Sequence, residues 1–383
     1  MRRVIHAITP GDHYSPRTGS AIPTVVHGLA GAAGRDAAPE RYAQFVAIES
    51  GTYEPRYESA TPIEFAHEQP PTARQRAVDA GLARVGARRR AAERYFGRQA
   101  AALRDEAPSI VLAHNAPVLP RLLQGTQHRV VLYAHNDILR SMTRAEAART
   151  LRDVTGIVAV SDSLAEQLSE HLTPELQKRL HVVVNGVDTA QFAPAPPRPE
   201  RAAVRVMFIG RMIADKGPDL LLEAAAIAGR TDLELVMVGS FGFDPNATLS
   251  PYEERLRTLA AGVPGTVDFV PFEPRFALPG LLQTADVLVV PSRWRDPCPL
   301  AVGEGMASGL AIVAAEIGGI PEILGSAGLL FRSGDAADLA RALGRLADDT
   351  ELRTRLAAEA RRRAVERDWD WAWSELRRVL ERL

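Results

Sequence analysis

Arg211 and Lys216 share one short segment, Phe208-Ile209-Gly210-Arg211-Met212-Ile213-Ala214-Asp215-Lys216-Gly217, which lies between an apolar run and a stretch of helical spacing. Gly210 allows close approach to the backbone, and Pro218 suits the first turn of a helix. Two cations beside a helix N-terminus at the carboxyl end of a strand make an anion site, particularly for a diphosphate. On spacing alone, an ordinary solvated strand-to-helix loop describes the same residues equally well. Lysine is otherwise scarce: of 46 basic residues, only Lys178 and Lys216 are not arginine.

A second segment runs from Pro291 to Met306. Its proline-dense loop carries Asp296, Cys298, Pro299 and Leu300 and leads into a helix bearing Glu304. A carboxylate facing a diphosphate would be repelled by it, so Glu304 suits the hydroxyls of a ligand, such as a ribose diol. The competing reading is a charge favoured by the helix N-terminus. His135 and His114 each follow an apolar run and precede Asn136 and Asn115. A lone histidine at a strand end is more often a hydrogen-bonded structural residue than a reacting group.

These residues need strands and helices to hold them. In the first half, Val4–Ile8, Ala43–Ile48, Ser109–Ala113, Val130–Ala134, Gly156–Val160 and His181–Val184 read as strands. In the second half the candidates are Val204–Ile209, Leu233–Val238, Val267–Val270, Ala285–Val290 and Ala311–Ala314. Apolar runs without polar alternation belong to strands covered on both faces, hence to parallel sheets. Helical stretches between them imply right-handed βαβ units, and so an α/β fold of two doubly wound, Rossmann-like domains.

Four prolines between Pro194 and Pro199 can continue neither a helix nor a central strand and mark a semi-stiff linker. The expected organisation is a first domain over 1–192, the linker over 193–200, a second domain over 201–365, and a segment 366–383 that returns to the first domain. The final helix is expected over Glu351–Leu383, where Trp369, Trp371 and Trp373 are too close in sequence to share one face. Two open sheets of this kind place the carboxyl ends of their strands, where ligands sit, across a shared cleft.

Length and charge bound the function classes. The 383 residues are enough for two substantial cores. With 46 Lys+Arg against 47 Asp+Glu, the chain lacks the basic excess of a nucleic-acid binder. The one cysteine, Cys298, excludes an internal disulfide framework and suits a reducing cytosol. No apolar run is long enough to span a bilayer, and Val4–Ile8 is too short for a secretory hydrophobic region, so a cytoplasmic protein is expected.

Absent motifs narrow the chemistry. The missing Gly-x-Gly-x-x-Gly and P-loop patterns weaken a dinucleotide dehydrogenase and exclude a P-loop NTPase, and no Cys or His spacing marks zinc. Asp368-Trp369-Asp370 matches a metal-binding Asp-x-Asp pattern, but it sits in the Trp-rich helix and reads as coincidence, so no metal site is expected.

Between Arg74 and Arg104 lie nine arginines against Asp79 and Glu93, with Val78, Leu82 and Val85 spaced as one apolar helical face. Most such basic faces are simply solvated. The sharper reading is contact with an anionic acceptor, or with a lipid-linked one at the inner face of a membrane.

Taken in order, several motifs resemble the family 4 retaining glycosyltransferases of the GT-B fold. They are Gly210-Arg211 with Lys216-Gly217, Asp296 to Glu304, Met306-Ala307-Ser308-Gly309, and Gly318-Gly319-Ile320-Pro321-Glu322. Asn185-Gly186-Val187-Asp188 and Phe192 are similar to that family's domain junction. The resemblance implies a nucleotide-diphospho-sugar donor, of uridine or guanosine type, held mainly by the second domain as a substrate, with no separate cofactor. It also implies a small-molecule, glycan or lipid-linked acceptor held mainly by the first domain.

By that match Arg211 and Lys216 hold the diphosphate, Glu304 the ribose and Asp296 the transferred sugar. Gly210, Cys298, Pro299 and Leu300 line the donor, and His135 assists the reacting centre. Gly19 and Ser20 stand in the loop after the first strand, which is glycine-rich in the family, while His114, Asn115 and Asn136 are the weaker acceptor-binding candidates. The chain departs from the family pattern where Asp296 replaces Glu, Cys298-Pro299 replaces Phe-Gly, and Ser20 replaces a second Gly. Pro299 also removes a backbone N–H. The same fold also hosts other readings: a pseudo-glycosyltransferase, a nucleotide-sugar epimerase, or a non-catalytic nucleotide-sugar-binding protein.

Overall fold

The computed structural model describes residues 2–37, 41–196 and 201–383. Thirteen strands among them are β1 Arg2–Ala7, β2 Tyr42–Glu49, β3 Thr61–Phe65, β4 Ile110–His114, β5 Arg129–Ala134, β6 Gly156–Ala159, β7 Leu180–Val182, β8 Val204–Ile209, β9 Leu233–Val238, β10 Thr266–Val270, β11 Val287–Val290, β12 Ala311–Ala315 and β13 Leu329–Phe331. Successive residues of a strand point to opposite faces, and here both faces are covered. Val206, Phe208, Leu235 and Met237 pack into one layer of the second sheet, whereas Met207, Val236, Val238 and Leu288 pack into the other. This is why these segments read as unbroken apolar runs.

The chain divides into two units, Met1–Asn185 with Trp369–Leu383, and Gly186–Asp368. The first holds a parallel sheet in the order β3-β2-β1-β4-β5-β6-β7, the second one in the order β10-β9-β8-β11-β12-β13. Both orders are doubly wound: connections leave to one side of β1 or β8 and then to the other. Among the described residues, no helix is long and apolar enough to cross a membrane.

Several expectations needed correction. β3 and β13 were not anticipated, because β3 is an edge strand interrupted by Pro62 and Glu64, and β13 has only three residues. The units meet at Asn185/Gly186 rather than at Phe192, because Phe192 is buried in the second unit's core and Arg361 donates to the carbonyls of Thr189 and Phe192. Pro197 to Glu200 of the expected linker lie outside the described residues.

The single helix expected over Glu351–Leu383 is two, Thr350–Val365 and Trp369–Arg382, which lie in different units. The arginine-rich segment likewise forms three helices, Ala73–Arg84, Arg90–Tyr95 and Gly97–Arg104.

Within the first unit the helix Trp369–Arg382 packs against the helix Ala21–Arg35. The Trp373 ring meets Tyr42 edge-on at 5.4 Å, and its Nε1 donates to Asp36 Oδ2 at 2.8 Å. Trp369 lies flat on Gly28, where an added Cβ would stand 2.2 Å from the ring. Asp370, the last residue of the Asp-x-Asp match, pairs with Arg35 at 2.5 Å. Gly28→Val should therefore destabilise the protein by about 1–3 kcal/mol through overpacking, and Trp373→Ala by about 3–5 kcal/mol through a cavity, both read by urea denaturation. Wild-type midpoints in both variants would contradict this packing.

Candidate active site

A doubly wound sheet opens a crevice at the carboxyl ends of its strands where the connections change sides, here between β8 and β11 in the second unit. The Gly210–Gly217 loop leaves β8 there, and the Pro291–Pro299 loop leaves β11 beside it. Gly217 joins the two loops: its φ is 68°, and an added Cβ would lie 2.1 Å from the Pro291 carbonyl oxygen, so only glycine fits. Arg293 N also donates to Asp215 O at 2.8 Å. From beyond β12, Gly318 (φ 60°) packs against the Asp296 backbone, and Gly319 N donates to Asp296 O at 2.9 Å. Three loops thus converge on Asp296.

Asp296 is buried, and its Oδ2 pairs with Lys216 Nζ at 2.5 Å, while the same ammonium lies 5.4 Å from the centre of the Trp294 ring. Lys216 sits in a short 3₁₀ turn ended by Gly217, and Pro218 begins the helix Pro218–Ala228. Glu304, buried in the helix Leu300–Ala307, forms an ion pair with Arg275, which comes from the loop after β10 and lies 5.6 Å from the Phe192 ring. Arg211 is exposed; its Nε donates to Phe241 O at 3.1 Å, and it has no carboxylate partner among the described residues. Cys298 and Leu300 are half-buried, and Pro299 is the N-cap of that helix, whose first N–H groups have no intrahelical acceptor. The loops at this crevice therefore hold carboxylates that are already paired, Asp296 with Lys216, Glu304 with Arg275 and Asp219 with Arg293, while Arg211 keeps no such partner among the described residues.

In the first unit the corresponding crevice lies between β1 and β4. Ser20 is the N-cap of the helix Ala21–Arg35, but its hydroxyl donates to Asp12 Oδ1 at 3.2 Å instead of capping, and Gly19 beside it is exposed. Burial pushes the Asp12 carboxyl up to about 6, with the Ser20 hydroxyl opposing the shift. His135, just past β5, has its backbone N–H held by Asn115 Oδ1 at 2.8 Å, and Asn115 itself adopts φ 52°. Asn136 is exposed.

His114 is fully buried, with its ring nitrogens 3.0 Å from His6 Nδ1 and 2.7 Å from His135 Nε2, so neither is free for an acceptor. Burial lowers His6 to about 4 and His135 to about 3, and drives His114 well down, so all three rings are neutral near pH 7.

Four contributors escaped sequence reasoning. Arg275 follows a strand and could have been found by the same rule that selected Arg211. His6, a polar residue inside the apolar run Val4–Ala7, carried the signal of a buried hydrogen-bonded group. Trp294 and Gln44 gave no sequence signal that separates them from ordinary residues.

Asp12 makes stability depend on pH. Its native pKa lies above the ordinary 3.8, so the folded state binds the proton more tightly, and the stability from this group falls as pH rises between about 4 and 6. Asp12→Asn should match wild type below pH 4 and exceed it by up to about 3 kcal/mol above pH 6, measured by urea denaturation across pH. A difference independent of pH would contradict the burial of that carboxyl.

Two family profiles match the chain: Glycosyltransferase Family 4 over residues 56–191 and Glycosyl transferases group 1 over residues 195–363. The spore coat protein SA of Bacillus subtilis is 29% identical over 301 residues, covering 73% of this chain and 79% of that protein. The phosphatidyl-myo-inositol mannosyltransferase of Mycolicibacterium smegmatis is 30% identical over 282 residues, 70% of this chain and 69% of that one. Among solved structures, Anabaena HepE in complex with UDP and glucose superposes with a TM-score of 0.75 over the full length of both chains at 16% identity, a likeness of fold. The paired doubly wound sheets, the ordered loops at the β8–β11 crevice and these matches make the chain a glycosyltransferase of family 4, with the GT-B fold.

Proposed function

We propose that this glycosyltransferase moves a hexosyl group from a nucleotide-diphospho-sugar to an acceptor hydroxyl with retention of anomeric configuration. The observation that carries this reading is that Lys216 pairs with Asp296 and Arg275 with Glu304, on the loops after β8, β10 and β11 and the helix Leu300–Ala307, with Arg211 on the same loop as Lys216. Lys216 spends one of its three donors on Asp296 and keeps two for phosphate oxygens, while exposed Arg211 spends its Nε on Phe241 O and keeps its terminal donors. Glu304, steadied by Arg275, is the acceptor for ribose hydroxyls, and Asp296 is the acceptor for hydroxyls of the transferred sugar.

As the glycosidic bond to the diphosphate breaks, negative charge grows on the leaving phosphate. In this reading Arg211, Lys216 and the N-terminus of the helix Leu300–Ala307 stabilise that charge, in the role a metal plays elsewhere. Retention, and a role for His135 toward the sugar, follow from the family resemblance.

A specific observation favours a lipid-linked acceptor at an anionic membrane. On the helix Ala73–Arg84 and just past its end, Val78, Leu82 and Val85 are 52%, 50% and 81% exposed, flanked by exposed Arg74, Arg76, Arg84 and Arg88. The acid of that helix, Asp79, is buried and accepts from Ala91 N and Ala92 N. An outward apolar stripe edged by arginines matches a membrane interface, where each cation contributes about 1 kcal/mol. Vesicles containing anionic phospholipid should co-sediment the protein, and Val85→Asp or high salt should release it. Equal sedimentation with neutral vesicles would remove the membrane from the proposal.

For the donor, thermal shifts against UDP, GDP and their sugars should reveal one preferred base, since a ligand at a hundredfold its Kd stabilises the native state by about 2.7 kcal/mol. Lys216→Ala should lower kcat per folded molecule by roughly 10²–10³-fold, beside a loss of stability from leaving Asp296 without its counter-ion. Full turnover in that variant would refute the assigned role. Tight donor binding without transfer to any acceptor would point to a non-catalytic nucleotide-sugar-binding protein.

A further inference from the structure

Gln44, His6, His114 and His135 form one line of hydrogen bonds across four neighbouring strands. Gln44 is on β2, His6 on β1, His114 ends β4 and His135 follows β5, the sheet order being β2-β1-β4-β5. The links are Gln44 Oε1 to His6 Nε2 at 3.0 Å, His6 Nδ1 to His114 Nε2 at 3.0 Å, and His114 Nδ1 to His135 Nε2 at 2.7 Å. All four side chains are buried.

We propose that Gln44, acting through His6 and His114, holds His135 as its Nε2–H tautomer, so that His135 presents an unprotonated Nδ1 that accepts a hydrogen bond from a ligand hydroxyl. The direction follows from one fixed end. Gln44 Nε2 donates to Tyr42 O at 3.3 Å; a carbonyl only accepts, so the amide oxygen must be the atom turned to His6. An amide oxygen accepts only, hence His6 carries its proton on Nε2, and its Nδ1 must accept. His114 then donates from Nε2 and accepts at Nδ1, and His135 donates from Nε2 to close the line.

Each neutral ring has one N–H, and burial keeps all three neutral. Reversing any ring would set two lone pairs, or two N–H groups, against each other in a buried place. The ring planes are also fixed. His6 and His114 stack at 5.2 Å, His114 and His135 at 5.1 Å, and Tyr133 lies against both His114 and His135 at 4.9 Å.

His135 Nδ1 has no partner among the described residues. A neutral acceptor nitrogen cannot donate to a phosphate oxyanion, so it selects for a hydroxyl. Gln44, His6 and His114 are positioning residues. Their relevance to sugar transfer rests on the function proposed above, whereas the tautomer does not.

The test is two-bond ¹H–¹⁵N correlation on the full-length protein labelled with ¹⁵N-histidine, near pH 7, with signals assigned by single His→Phe variants. Wild type should show His6, His114 and His135 each as a single Nε2–H tautomer, with widely separated Nδ1 and Nε2 shifts. Gln44→Leu should collapse that separation toward exchanging tautomers in all three rings, whereas His114→Phe should release His135 alone and leave His6 fixed. Such position-dependent release is not expected from a general loosening of the core. An Nδ1–H form of His135 in wild type overturns the proposal even if neither variant folds, and so does an unchanged His135 in folded Gln44→Leu. The spectra report the tautomer whether or not sugar transfer is found.

Discussion

A buried ionised carboxylate needs a cation or hydrogen-bond donors, and the loops of the second unit meet that need at Asp296 with a cation. Lys216 supplies the ammonium, but only because Gly217 lets the loop after β8 lie against Pro291, where any side chain would strike the carbonyl. Gly318 admits the loop after β12 to the backbone of Asp296 in the same way. The pair is thus held between three strand ends, and a change in any of those turns reaches the charge. Glu304 meets the same requirement independently, with Arg275 drawn in from the loop after β10. Breaking such a buried pair is strongly destabilising because it leaves an uncompensated charge, which explains why the crevice keeps its carboxylates neutralised while Arg211 stays available.

The first unit answers burial differently. Where the second neutralises charge with charge, the crevice between β1 and β4 holds rings that burial keeps uncharged. Three neutral imidazoles in a row are hydrogen-bonded ring to ring, the amide of Gln44 ends the row on one side, and His135 Nδ1 is left without a partner among the described residues on the other. Asp12 follows the same rule, its carboxyl pushed toward the protonated form. One doubly wound scaffold therefore supports a cation-rich site in one unit and a neutral polar site in the other, and the difference lies in the loops and in single residues at the strand ends.

Much of the architecture is legible locally. Buried parallel strands announce themselves as short apolar runs, so β1, β2, β4, β5, β6, β8, β9, β11 and β12 were located within a residue or two at most ends. The edge strands β7 and β10 were located too, but β3 was not: it carries Pro62 and Glu64 because one of its sides has no neighbour to satisfy. A change of unit was expected at 365/366, but not that the helix itself breaks there. Residues 366–368 have ordinary helical composition, and it is the membership of the two flanking helices in different units that separates them.

Residue types at strand ends nominated Arg211, Lys216, Glu304 and His135, because a doubly wound sheet presents its ligand-facing loops at one edge, and the family resemblance raised them, with Asp296, to site candidates. Pairing was beyond that reasoning. That Lys216 belongs to Asp296, Glu304 to Arg275, and His135 to His114 and His6 depends on which strands become neighbours, and sheet order is settled by packing between segments far apart in the chain. Sequence by itself named several of the chemical groups at the strand ends; only the tertiary structure added Arg275, His6 and Gln44 and decided which groups are already bound to each other, because hydrogen bonds and ion pairs form across distances of a few ångströms, whatever the separation along the backbone.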